Sequence, residues 1–153
     1  FRRVLFRSQV RFIEMMPFAG ATALQRAQVV TAREMMEHIS QALAPLQPAN
    51  DGRLDGEARL FQLPGAIGQV GFISSVSIPF CASCSRARLT ADGKLRLCLL
   101  REKEVDLLTP LRAGATLAEL RTLILDGVWH KPWGHDLARG EVPLNRVMSE
   151  IGG

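Results

Sequence analysis

The sequence is poor in cysteine, poor in aromatic residues and wholly without tyrosine. Three cysteines in 153 residues make an odd count, and all three lie between 81 and 98. So few thiols in one short segment do not make a disulfide framework, but they suit metal or cluster ligation in a reducing compartment. With 6% aromatics there is little of the stacking surface that single-strand binders use, so nucleic acid is the weaker partner class. No apolar run approaches the roughly 20 residues needed to cross a bilayer, and the opening "FRRVLFRSQ" lacks the apolar region and cleavage site of a secretory signal. These absences read together as a soluble, cytoplasmic chain.

What is present starts with an ordinary core: 47% of the residues are hydrophobic, enough for one domain of this length. The formal charge of +4 and pI near 9.5 suit an anionic partner, and a small phosphorylated ligand is open.

Residues 1–8 fit poorly with the rest of the chain and read as a non-native scar, with a native basic strand edge as the alternative. From Gln9, "QVRFIEMMP" alternates up to Pro17 and reads as a strand buried on both faces, which makes Glu14 to Pro17 a candidate site edge. In "TAREMMEHISQAL", Thr31 and Glu34 have capping-box spacing, and Met35, Met36, Ile39 and Leu43 recur at helical intervals. His38 within that helix reads as a surface or packing residue rather than a ligand. The stretch 45–55 is turn chemistry, succeeded by strands near 58–63 and 68–75. Glycines 65, 68 and 71 form no phosphate-binding pattern and read as turn and close-packing positions. Thr116 and Glu119 repeat the capping box, with Leu117, Leu120, Leu123 and Ile124 as an apolar helix face ending near Gly127. The remainder reads as irregular.

The thiols are spaced Cys81-x2-Cys84-x13-Cys98, and "ADG" at 91–93 is a hairpin signal. A two-residue turn scatters the leucines over both faces. A three-residue loop with Gly93 left-handed pairs Arg88 with Arg96 and Arg86 with Cys98, placing Leu89, Leu95 and Leu97 on one face and Arg86, Arg88, Arg96 and Cys98 on the other. The segregation favours the second register, which returns Cys98 beside Cys84 and sets two arginines, donor forks suited to phosphate oxygens, next to the thiols. Three thiolates leave one iron of a cubane cluster without a protein ligand. A structural zinc, with His130 or His135 as fourth ligand, is the alternative, and an open position does not by itself identify the metal.

Four stretches, "RFIEMMP", "LPGAIGQVGFISSVSIPFCASCSRARLTADGKLRLCL", "HKPWGHDL" and "MSEIGG", resemble the C-terminal half of the GTP 3',8-cyclase family of molybdenum cofactor biosynthesis, which are radical SAM enzymes. The resemblance runs from about Val10 to the end. It implies that Cys81, Cys84 and Cys98 hold a second [4Fe-4S] cluster whose open iron binds the guanine of GTP. It also implies that Arg86, Ala87 and Arg88 bind GTP, with the arginines directed at the triphosphate, that Met16 contacts S-adenosylmethionine, and that Gly152 and Gly153 form a tail required for the chemistry. The family's N-terminal C-x3-C-x2-C, which binds the S-adenosylmethionine cluster, has no counterpart here, so the chain reads as a fragment, inactive alone. In the intact enzyme a 5'-deoxyadenosyl radical abstracts hydrogen from the ribose of GTP and the sugar radical attacks C8. The implied fold is α/β. Residues 9–50 would be the last part of an incomplete (β/α) TIM-like barrel, and 51–153 an α+β cluster and GTP-binding region with a β-hairpin. A homodimer, and handover of product to cyclic pyranopterin monophosphate synthase, are implied partners. Ser85 stands where the family commonly has asparagine. A zinc-stabilised nucleotide- or RNA-binding module is the rival function.

Overall fold

The computed structural model describes residues 8–17 and 28–151, with the side chain of Ala138 omitted. Residues 1–7 of the expected scar, and Gly152 and Gly153, lie outside the described residues. The fold is mixed α/β and forms two compact units, which divide at Phe80 and Cys81. The boundary expected at 50/51 separates regions of a family pattern and is a different division from this one.

In the first unit, β1 (Gln9–Ile13) pairs in parallel with β5 (Gln69–Ile73), Gln9 opposite Gln69 and Ile13 opposite Ile73. β4 (Ala58–Gln62) runs antiparallel to β5, and both β2 (Gln47–Pro48) and β3 (Leu54–Asp55) pair antiparallel with β4. The loop read from turn chemistry at 45–55 therefore holds two two-residue strands. Helix α1 (Ala32–Ala42) starts at the expected capping box: the Thr31 hydroxyl accepts from the Glu34 N–H while the Glu34 carboxylate accepts from the Thr31 N–H. Ala32 and Ile39 of α1 join Ala66, Val70 and Phe72 in the core, with Met35, Met36, Val10 and Phe12 packed against them. Phe72 stacks on Phe12 and meets Phe61 edge-on, each with ring centroids 5.6 Å apart, which keeps the central strand in register with both neighbours. His38 is exposed on α1.

One expectation fails at β1. Val10 and Phe12 are half-buried, but Gln9, Arg11 and Ile13 are exposed, Ile13 at 58%. The helix covers one face only, and the other carries an ion pair between Arg11 and Asp55 at 2.6 Å. Gly71 does serve as a close-packing position: a Cβ there would lie 3.1 to 3.3 Å from Leu60, Arg11 and Ala58.

Glu14 comes directly after β1 and is buried at 1% exposure. Its carboxylate accepts from the N–H groups of Ala32 at 2.8 Å, Val76 at 2.9 Å and Ser77 at 2.9 Å, and from the Ser77 hydroxyl. A buried carboxylate needs such partners, and these join the strand end, the N-terminus of α1 and the loop after β5.

The second unit has an antiparallel sheet of β6 (Arg88–Leu89), β7 (Lys94–Arg96) and β8 (Glu104–Asp106). A short α2 (Leu108–Arg112) comes next, then α3 (Leu117–Trp129), again opened by a capping box, here of Thr116 and Glu119. Past α3 the chain is irregular apart from 3-10 turns at Leu137–Arg139 and Met148–Ile151. The apolar face expected on α3 is not buried in this unit. Leu120 is half-buried, but Leu117 is 85% exposed, Leu123 36% and Ile124 39%, and the buried residue of the helix is Gly127. The helix ends at Trp129, near Gly127 as expected, and Gly127 is its contact point, since a Cβ there would come 2.8 Å from Val105 of β8. Close approach of helix to sheet at a glycine needs no leucine face.

The hairpin takes the three-residue register: Arg88 pairs with Arg96, Leu89 with Leu95, and Gly93 is left-handed at φ 72°. The two faces are not divided into core and solvent. Leu97 is buried at 1%, but Leu89 is 65% exposed and Arg96 is buried at 1%. Arg96 can sit inside because its guanidinium donates to Glu104 at 2.8 Å and to the Leu99 carbonyl at 3.0 Å, and Arg146 holds the same Glu104 carboxylate at 2.8 Å. Gly93→Ala is expected to cost about 2–3 kcal/mol in denaturant unfolding. The left-handed backbone penalises any Cβ, and this one would sit 2.5 Å from Cβ of Leu108 at the start of α2. An unchanged midpoint would show that the loop tolerates another register.

Candidate functional site

The three thiols lie in the second unit around the base of the hairpin. Cys81 opens a 3-10 turn, Cys81–Ser83, and its carbonyl accepts from the Cys84 N–H at 3.1 Å, which folds the x2 spacing back on itself. Cys98 comes two residues after the last paired residue of β7. All three are free and half-buried.

Their electrostatics differ. Burial works to raise the Cys84 thiol, but the N–H and guanidinium of Arg86, with the charge of Lys131 nearby, bring it below the usual thiol range. Burial pushes the Cys98 thiol up, against the pull of the Leu100 N–H and Lys131, and the charges of Cys81 and Cys84 push it further. The three sulfurs therefore feel one another. Even so, among the described residues no three His, Cys, Asp or Glu side chains gather into a group that could hold a metal ion. The hairpin brings the limbs together without closing the thiols into a finished site. The donor set itself suits a thiophilic metal or cluster: three free thiols in mutual electrostatic range, with the Cys84 thiol held below its usual range. Metal sites of this kind usually close only on binding.

Among the other candidate residues, Arg86 is exposed and engaged with Cys84, Ala87 is exposed, and the half-buried Arg88 donates to the Ile151 carbonyl at 3.4 Å. Met16 belongs to the first unit, half-buried two residues beyond Glu14. Neither histidine weighed as a fourth ligand joins a metal-holding group. His130 turns its Nδ1 to the carbonyl of Asp126 at 2.8 Å, capping its own helix, and His135 Nδ1 accepts from the Leu137 N–H at 3.4 Å.

Sequence reasoning passes over the residues that brace the thiols. Lys131 Nζ donates to the Arg86 carbonyl at 2.9 Å and to the Leu97 carbonyl, beside Cys84 and Cys98 respectively. Gly134 packs against Cys81, so that a Cβ there would be 3.8 Å from the sulfur. Gly134 is held in turn by Arg101, which donates to its carbonyl at 2.9 Å and pairs with Asp136. The signal lies in "HKPWGHDL", a stretch that carries the resemblance and, with it, this bracing chemistry.

The chain is thus a mixed α/β protein whose basic hairpin carries three free thiols about its base. The chain belongs to the family described as Molybdenum Cofactor Synthesis C, whose model matches residues 8–137. It is 44% identical over 144 residues to a GTP 3',8-cyclase of Pelotomaculum thermopropionicum, covering 94% of this chain and 44% of that protein. Against the GTP 3',8-cyclase of Moorella thermoacetica the identity is 46% over 145 residues, with 94% and 44% covered. Against that of Corynebacterium glutamicum it is 39% over 152 residues, with 95% and 40% covered. The chain thus spans less than half the length of these curated relatives. Among the described residues no helix is long and apolar enough to cross a membrane.

Proposed function

We propose that this chain is the C-terminal, substrate-binding part of a GTP 3',8-cyclase, acting in molybdenum cofactor biosynthesis. Its task is to bind GTP at a second [4Fe-4S] cluster for the S-adenosylmethionine-dependent radical conversion to 3',8-cyclo-7,8-dihydro-GTP. The observation that carries this reading is the hairpin register, which pairs Arg88 with Arg96 and so sets Cys84 and Arg86 just before the hairpin and Cys98 just after it. Relatives of that name along 94% of the chain support it.

In this reading Cys81, Cys84 and Cys98 hold the cluster, which when bound supplies an iron without a protein ligand that can take a substrate atom. Arg86 and Arg88 take the phosphate oxygens of GTP, with the small Ala87 between them leaving room for the nucleotide. The carbonyl that Arg88 meets at Ile151 immediately precedes Gly152 and Gly153, the residues proposed to complete the site. Met16 is the S-adenosylmethionine contact. The barrel origin of residues 9–50, a homodimer, and handover to cyclic pyranopterin monophosphate synthase belong to the same proposal.

The test is anaerobic metal and sulfide analysis of the reconstituted chain, with visible and EPR spectra recorded before and after GTP. About four irons and four sulfides per chain, with spectra that change on adding GTP, are expected. One zinc and no sulfide under iron-replete conditions would overturn the reading in favour of a zinc-stabilised nucleotide- or RNA-binding module. Without the C-x3-C-x2-C set the chain is inactive alone, and product from GTP, S-adenosylmethionine and reductant would refute that part.

A further inference from the structure

We infer that Lys131 is a positioning residue of the three-thiol centre, holding the two limbs of the hairpin together at the cysteines and supplying the positive charge beside them. The inference rests on the reading of Cys81, Cys84 and Cys98 as cluster ligands.

The hairpin ladder stops at the Arg88–Arg96 pair, and the rung expected next, Arg86 with Cys98, is not formed. The single ammonium of Lys131 stands at that level. It donates to the carbonyl of Arg86 on the incoming limb, at 2.9 Å, and to the carbonyl of Leu97 on the outgoing limb. One of these carbonyls lies two residues after Cys84 and the other immediately before Cys98, so the side chain replaces the missing rung where the cysteines leave the sheet.

The lysine is itself well anchored. Its N–H donates to the Val128 carbonyl at 3.1 Å at the end of α3, and Pro132 is the next residue, so the helix end fixes where the ammonium reaches. Hydrogen bonds and net charge around the ligating sulfurs set how firmly a cluster is held and how readily it is reduced. A fixed cation beside three thiolates favours both.

The experiment compares wild type, Lys131→Met, Lys131→Gln and Lys131→Arg. Each is reconstituted anaerobically, freed of excess iron, challenged with a chelator and titrated for its EPR-detected midpoint potential. Lys131→Met is expected to lose iron about tenfold faster than wild type and to show a more negative midpoint, with Lys131→Arg restoring both toward wild type. Wild-type retention and potential in Lys131→Met would overturn the inference. If Lys131→Met does not fold, Lys131→Gln, which keeps a donor and removes the charge, decides by the same two outcomes. A wild-type chain that holds no iron-sulfur cluster would overturn the underlying reading, and the inference with it. A wild type that holds the cluster beside an unaffected variant would overturn the inference alone.

Discussion

Cys98→Ser is expected to bring the iron retained after anaerobic reconstitution from about four per chain to below about one, with the near-ultraviolet and visible charge-transfer bands lost in parallel. Cys81 and Cys84 are close in sequence and joined by a 3-10 turn, so they can approach one ion together. Two thiolates cannot hold a cubane on their own. Cys98 is the thiol that arrives from the far limb of the hairpin, so its removal separates the centre from the hairpin that carries the proposed phosphate clamp. Serine is close in size, and its hydroxyl stays protonated where a thiol can ionise, so the substitution removes a ligand with little change in packing. The neighbouring Leu97 is buried at 1% and keeps its place, and far-ultraviolet circular dichroism is expected to be unchanged. Retention of iron with an unaltered spectrum in Cys98→Ser would mean that another side chain serves as third ligand, and the three-thiol assignment would then be wrong.

The parts of the fold written in local chemistry were legible. Both capping boxes form, because a threonine three residues before a glutamate satisfies the first free N–H groups of a helix whatever surrounds it. The hairpin register was legible in the segregation of leucines from arginines between its faces, although Leu89 at 65% exposure and Arg96 at 1% show that the faces are not core and solvent. What was misread depends on the neighbours of a segment. Leu117, Leu123 and Ile124 look like a core face by periodicity, yet in its unit α3 meets the sheet through Gly127. Arg96 shares a hairpin face with Arg86 and Arg88 by register, yet it is buried, because Glu104 lies across the ladder on β8 and no local rule predicts that partner. At the site the thiols and the flanking arginines were visible as a motif, whereas Lys131 was not. A lysine that bridges two backbone carbonyls leaves no spacing pattern, since its partners are main-chain groups 45 and 34 residues away.

Glu14→Gln is expected to destabilise the first unit by about 3 kcal/mol, seen as a lower midpoint in urea. The carboxylate is buried and acceptor-only, and all of its partners donate: the N–H groups of Ala32, Val76 and Ser77 and the hydroxyl of Ser77. An amide of the same shape turns an NH2 group toward at least one of these donors and weakens the rest by removing the charge. Charge-assisted bonds contribute about 1.5–3 kcal/mol each, and an orphaned buried donor costs about 1–3 kcal/mol, so partial relaxation still leaves a large deficit. Ala32 is the first residue of α1, where a negative charge is further favoured by the helix dipole. The pH dependence supplies an independent check. Burial works to raise the Glu14 carboxyl, but the Ser77, Ala32 and Val76 donors outweigh it and hold the group below the usual glutamate range. A carboxyl lowered in the folded state contributes stability above its unfolded value of 4.5, and this contribution fades as pH falls from there through the folded value. Wild type is therefore expected to lose more stability than Glu14→Gln between pH 6 and the acid range, so that the two unfolding curves converge as Glu14 is protonated. A wild type that instead gains stability relative to Glu14→Gln as pH falls would show that Glu14 is a neutral acid in the folded protein, joining the strand end, the helix start and the loop after β5 without its charge.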